Sequence, residues 1–122
     1  MELRRVHVST QLATHGLEPD ALWDLVQRVT VRPEDRVTAS LPPYFLDTEE
    51  LGAEPDAGRS GTRRDVEQTT TSVRVTLTRW VECPSGQATA YEQRYDVELA
   101  GALKELRVAV GRARLGSVTG RA

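Results

Sequence analysis

Thr71-Ser-Val-Arg-Val-Thr-Leu-Thr-Arg-Trp-Val-Glu-Cys83 and, after Pro84-Ser85-Gly86-Gln87-Ala88, Thr89-Ala-Tyr-Glu-Gln-Arg-Tyr-Asp-Val-Glu-Leu99 are the runs on which the reading of the fold turns. Val73, Val75, Leu77 and Val81 share a face of the first run, and Tyr91, Tyr95, Val97 and Leu99 a face of the second, at the two-residue period of half-buried strands. A Pro/Ser/Gly segment between two such runs predicts a long β-hairpin over 71–99. Pairing Val81 with Tyr91 sets the polar interruptions Arg79 and Gln93 opposite each other, whereas a slip by one residue opposes apolar to polar positions almost throughout. The same register sets Arg74 across from Glu98 and Thr78 across from Arg94 on the reverse face.

Towards the N-terminus, Val6, Val8, Thr10 and Leu12 alternate with Arg5, His7, Ser9 and Gln11, predicting a strand over 3–12 that ends before Thr14-His15-Gly16. Leu17-Glu-Pro-Asp then places proline and acids in a first helical turn, where the missing N–H costs nothing and the helix dipole favours carboxylates. The helix runs from Pro19 to about Val29 with Leu22, Leu25, Val26 and Val29 as its apolar stripe. Val37, Ala39 and Leu41 predict a short edge strand, closed by Pro42-Pro43. Tyr44-Phe45-Leu46 is expected to plug one end of the core, and the acid- and glycine-rich stretch 47–61 to be a mobile irregular loop. Beyond the hairpin, Ala102, Leu103, Leu106, Ala109, Val110 and Ala113 mark a second amphipathic helix to about Leu115, followed by a frayed tail at 116–122. The fold class is therefore α+β, in the order β-α-β-β-β-α: one domain over 1–115, an antiparallel-rich sheet with two helices on one face.

The 122 residues close one hydrophobic core, and a composition 39% hydrophobic and 28% charged excludes a mostly disordered chain and a membrane span. Cys83 has no partner for an internal disulfide, and Met1-Glu-Leu-Arg-Arg passes straight into strand periodicity without an apolar h-region, so a cytoplasmic location is expected. Fifteen of the 16 cations are arginine, and the net charge of −2 implies no obligatory nucleic-acid partner.

No catalytic set, metal site or cofactor is expected. Asp47, Glu49 and Glu50 lack calcium-loop spacing, His7 and His15 have no ligand or triad partner nearby, and Cys83 has no adjacent cation to lower its pKa. The glycines form neither a phosphate-binding loop nor a dinucleotide fingerprint, and no serine sits in a Gly-x-Ser-x-Gly elbow. Two features stand out. Trp80 falls on the outward face with Arg74, Thr78 and Arg94, where it needs a partner chain, a ligand or the long loop to cover it. Arg107, Arg112 and Arg114 lie along the last helix as a candidate anion contact.

The first function this predicts is a small binding or regulatory module acting by protein contact or self-association, through the Trp80 face and exposed strand edges. The order of a first strand, a Pro19-started helix with Leu22, Trp23 and Leu25, and a terminal helix after a long hairpin resembles that of short START-related (polyketide cyclase-like) proteins. That resemblance implies a curved sheet wrapped round the last helix and a small-molecule-binding or enzymatic role; it covers element order, and no site residue is carried over. Nucleic-acid or anion binding through the arginine side of the last helix is a third reading.

Overall fold

Alternating apolar and polar residues form β1, Leu3–Thr14, turning at Gly16 with φ of 82°. Pro19 then opens α1, Pro19–Thr30, which buries Leu22, Leu25 and Val26. Four strands follow: β2, Arg36–Leu41; β3, Phe45–Glu49; β4, Ser60–Gln68; and β5, Val73–Pro84. A single 3-10 turn, Ser85–Gln87, leads into α2, Ala88–Thr119. This computed structural model describes residues 2–41, 44–50, 54 and 56–119. The Pro42-Pro43 break, Leu51–Ala53 and Pro55 of the acidic stretch, and the end of the tail at 120–122 lie outside the described residues.

The five strands form one antiparallel sheet in the order β1-β5-β4-β3-β2. α1 carries the chain from one edge to the other, and β2 to β5 return as a meander that closes onto β1 with Val6 beside Val81 and Leu12 beside Val75. α2 lies across β1 and β5 on the inward face and also packs on α1. The architecture is thus the α+β one expected: an antiparallel sheet with both helices on one face, the last helix long. Its core has two parts, one joining α1 to Val66, Val75, Leu77, Leu99, Leu106 and Val110, the other joining Val6, Val81 and Cys83 to Tyr91 and Tyr95.

The hairpin over 71–99 is corrected in its second arm, because Thr89–Leu99 is helical and belongs to α2. Tyr91, Tyr95 and Leu99 are four residues apart, a spacing that satisfies a strand's even period and one helical face equally. All three are buried on the sheet, and the stripe continues in phase through Leu103, Leu106 and Val110. Val97, the residue that would separate the two readings, is 74% exposed, although the strand reading put it in the core. The expected cross-strand pairs dissolve with the hairpin: Arg74 instead meets Glu67 of β4 at 3.2 Å, and Thr78 hydrogen-bonds Ser9 of β1 at 2.7 Å. Val97→Lys is accordingly expected to change stability by no more than about 0.5 kcal/mol, as at ordinary surface positions. A urea titration showing a loss of about 2 kcal/mol or more, typical of a core strand position, would restore the hairpin.

The stretch 47–61 is corrected at both ends. Asp47–Glu49 belong to β3 and Ser60–Gly61 to β4, with Thr48, Glu49 and Ser60 buried. The strands were hidden because the inward face of β4 reads Ser60, Thr62, Arg64, Val66, three of them polar and all four buried. A binary apolar pattern has no such strand in its vocabulary. The expected plug is shared out: Tyr44, at φ 67°, packs against Trp23 with ring centroids 5.9 Å apart and the planes tilted by 51°, while Phe45 and Leu46 enter β3.

Candidate functional site

Arg64 anchors the polar interior of β4. It is 1% exposed; its Nε donates to Thr30 Oγ1 at 2.7 Å, Nη1 to Thr48 Oγ1 at 2.8 Å and to the Thr62 carbonyl at 3.2 Å, and Nη2 to the Thr30 carbonyl at 2.8 Å. The guanidinium therefore caps the C-terminal end of α1, where orphan carbonyls and the helix dipole favour a cation. Burial pulls its pKa down, opposed by the charges of Asp35 and Glu50.

Arg79 of β5, on the same inward face, is enclosed by carboxylates. Its Nη1 donates to Glu50 and, at 3.1 Å, to Thr62 Oγ1; Glu54 stands 4.0 Å from Nη2 and Glu98 of α2 3.4 Å from Nε. The guanidinium lies over the Tyr95 ring, 4.5 Å from its centroid. Glu54 also accepts from Arg94 and, at 3.1 Å, from the Tyr95 hydroxyl. Burial, chiefly, pushes the Tyr95 phenol up, and the hydrogen bond to Glu54 holds Arg94 above its ordinary value.

Above these groups a cleft of about 460 Å³ opens between the end of α1, the middle of α2 and the inward face of β4 and β5. Val29, Thr30 and Arg32 border it on one side and Val97, Glu98, Gly101, Ala102 and Glu105 on the other, with Asp35, Glu50, Glu54, Thr62 and Arg79 between. Two buried polar atoms of lining residues lack a hydrogen bond among the described residues, Asp35 Oδ1 and Arg79 Nε. The space between sheet and last helix is thus lined by charged groups together with Val29, Val97, Leu99 and Ala102.

Trp80 stands on the outward face, as its period requires, but is only 8% exposed. Its neighbours across the strands are His7 and Gly61. The indole lies over Gly61, where an added Cβ would sit 2.8 Å from the ring and 2.3 Å from the Thr48 carbonyl, so no side chain fits there. Arg5 lies 4.1 Å and Arg59 5.9 Å from the ring centroid, covering the other side. The exposed tryptophan expected of a contact surface is therefore absent: β1 and the end of the 47–61 stretch cover it. Arg59 and Arg36 also flank buried Glu49, and the hydrogen bond from Arg59, first, holds that carboxyl below its ordinary value.

The structure does not bring the contact residues together. Arg74 and Thr78 share the outward face with Trp80, whereas Arg94 is on α2, bound to Glu54. Of the anion candidates, all on α2 and exposed, Arg107 and Arg114 are seven residues apart on one line, with Arg114 beside Gly16, while Arg112 borders Val29 with Lys104. The cleft residues Asp35, Glu50, Glu54, Arg79 and Glu98 escaped sequence reasoning as a set because four separate segments supply them. The available signal was Arg79, a charge on an otherwise apolar strand face.

No protein-family model matches the sequence, and no curated protein matches it. Solved structures do resemble the fold. One is the di-domain ARO/CYC BexL from the BE-7585A biosynthetic pathway, superposing with a TM-score of 0.55 over 90% of this chain at 10% identity. The chain spans 49% of that protein's length. Another is CalU16 from Micromonospora echinospora, with a TM-score of 0.51 at 9% identity over 94% of this chain and 86% of the other. Fold and comparisons together define a helix-grip fold, an antiparallel sheet packed against a long terminal helix. Among the described residues no helix is long and apolar enough to cross a membrane.

Proposed function

We propose that this chain is a small-molecule-binding domain that takes its ligand in the cleft between α1, α2 and the inward face of β4 and β5. The supporting observation is the polar interior of β4 and β5: Thr62, Arg64 and Arg79 occupy positions that core packing alone would fill with aliphatic residues. Thr62 and Arg79 border a space of about 460 Å³, within the roughly 300–1,000 Å³ of small-molecule sites. The likeness to BexL, described as an ARO/CYC from a biosynthetic pathway, supports a ligand-handling fold.

Gly101 supplies the test. A Cβ added there meets nothing within 4 Å, so a larger side chain spares the fold while obstructing the cleft that Gly101 lines. Titrating labelled protein with putrescine, succinate, 1,4-butanediol and 2-naphthol, each in turn, is expected to move the amide signals of Asp35, Glu50, Thr62 and Gly101 with at least one probe. Gly101→Phe should abolish those shifts at unchanged melting temperature. Shifts confined to other surfaces would overturn the reading.

A second reading, self-association, draws on the edge strand β2, all six of whose residues are exposed, with Val37 at 55% and Leu41 at 67%. Unpaired backbone groups on such an edge suit antiparallel pairing with a second copy. The expected result is a dimer by light scattering that Val37→Lys with Leu41→Lys converts to monomer; a wild-type chain monomeric at high concentration excludes it.

A further inference from the structure

Taking the cleft as the ligand site, as proposed above, we infer that its ligand is a small organic cation, an amine or guanidinium whose N–H groups reach Asp35 Oδ1. Asp35 has a side chain 3% exposed. Its Oδ2 accepts from the Arg32 backbone N–H at 2.9 Å and lies 3.8 Å from Arg64 Nη2, but Oδ1 has no hydrogen-bond partner among the described residues. A carboxylate oxygen withdrawn from water calls for a donor, and the cleft that Asp35 borders is the route by which one arrives.

The charges around the cleft give the donor its sign. Asp35, Glu50, Glu54, Glu98 and Glu105 line it against Arg32 and Arg79. Arg64 and Arg94 lie behind Asp35 and Glu54, and even with both included the carboxylates remain in surplus by one. Arg79 Nε lacks a hydrogen bond among the described residues, but Glu98 already stands 3.4 Å from it and Glu50 and Glu54 surround the rest of the guanidinium, so Arg79 offers little to an anion. An incoming anion would displace one of these and face the rest, whereas a cation finds Glu105 without an ion pair among the described residues and Glu98 half exposed at the rim. A low-dielectric wall concentrates this negative field within the cleft.

The full-length folded chain is titrated at low salt with putrescine, agmatine, succinate and 1,4-butanediol, following amide shifts. Putrescine or agmatine is expected to move Asp35, Glu50, Glu98 and Gly101, with affinity falling several-fold as ionic strength rises from about 20 to about 200 mM. Asp35→Asn should weaken binding about tenfold, the scale of a lost charge-assisted hydrogen bond. Since Asp35 also neighbours Arg64, Glu105→Gln at the exposed rim serves as the second variant, expected to weaken amine binding about twofold or more while leaving the fold untouched. Succinate or butanediol occupying the cleft in preference to both amines overturns the inference and leaves the ligand site standing. If no probe moves the cleft amides, both fall.

Discussion

Arg64→Met is expected to destabilise the folded chain by about 3 to 5 kcal/mol, the scale seen when one partner of a buried charged network is removed. Methionine retains most of the volume, so little of the loss comes from a cavity. What disappears is the set of donors to Thr30, Thr48 and the Thr62 carbonyl, together with the guanidinium 3.8 Å from the buried Asp35 carboxylate. Because Arg64 ties β4 to the end of α1, the loss should concentrate there. Hydrogen exchange is expected to show the last turn of α1 opening before the β1 and β5 ladder. Arg64→Lys, which keeps the charge but not the planar fork, should recover only part of the stability. Urea unfolding of the three proteins measures this, and a loss below about 1 kcal/mol for the methionine variant would mean that the network contributes little.

Trp80→Ala is expected to cost about 3 to 5 kcal/mol and to leave the molecular mass unchanged, as for other buried aromatics. The indole packs over Gly61, and its removal deprives Arg5 and Arg59 of the ring they lie over. Were the outward face instead an interface built on this residue, the variant would stay nearly as stable as the parent and lose association by roughly 2 kcal/mol or more. Thermal unfolding and light scattering on the same sample separate the two outcomes. Gly61→Ala provides an independent check, since its Cβ collides with the Thr48 carbonyl and the Trp80 ring; it should destabilise by about 1 to 3 kcal/mol, as overpacking does.

Legibility in the sequence follows the range of the forces involved. Leu3–Thr14, Pro19–Thr30 and the edge strand Arg36–Leu41 are set by local period and by proline and glycine punctuation, and all three form where those signals place them. The first run of the deciding stretch is likewise a strand, since Val73, Val75, Leu77 and Val81 alternate without a helical reading and all four are buried. The expected α+β class, an antiparallel-rich sheet with helices on one face, follows from these elements, whereas the final helix, expected from Ala100, begins at Ala88.

Tertiary structure decided the rest, for two physical reasons. Tyr91, Tyr95 and Leu99 fit either a strand or a helix by their spacing, and it is the inward face of β1 and β5 that selects the helix, by burying a stripe continuing to Val110 and leaving Val97 in solvent. Ser60, Thr62 and Arg64 fit no buried strand on polarity alone. A guanidinium is stable inside β4 only because the fold delivers Thr30 from 34 residues away and Thr48 from 16. Local period thus determined which segments could be strands or helices. Long-range satisfaction of buried polar groups, which no single segment encodes, determined where β3 and β4 lie and created the charged cleft.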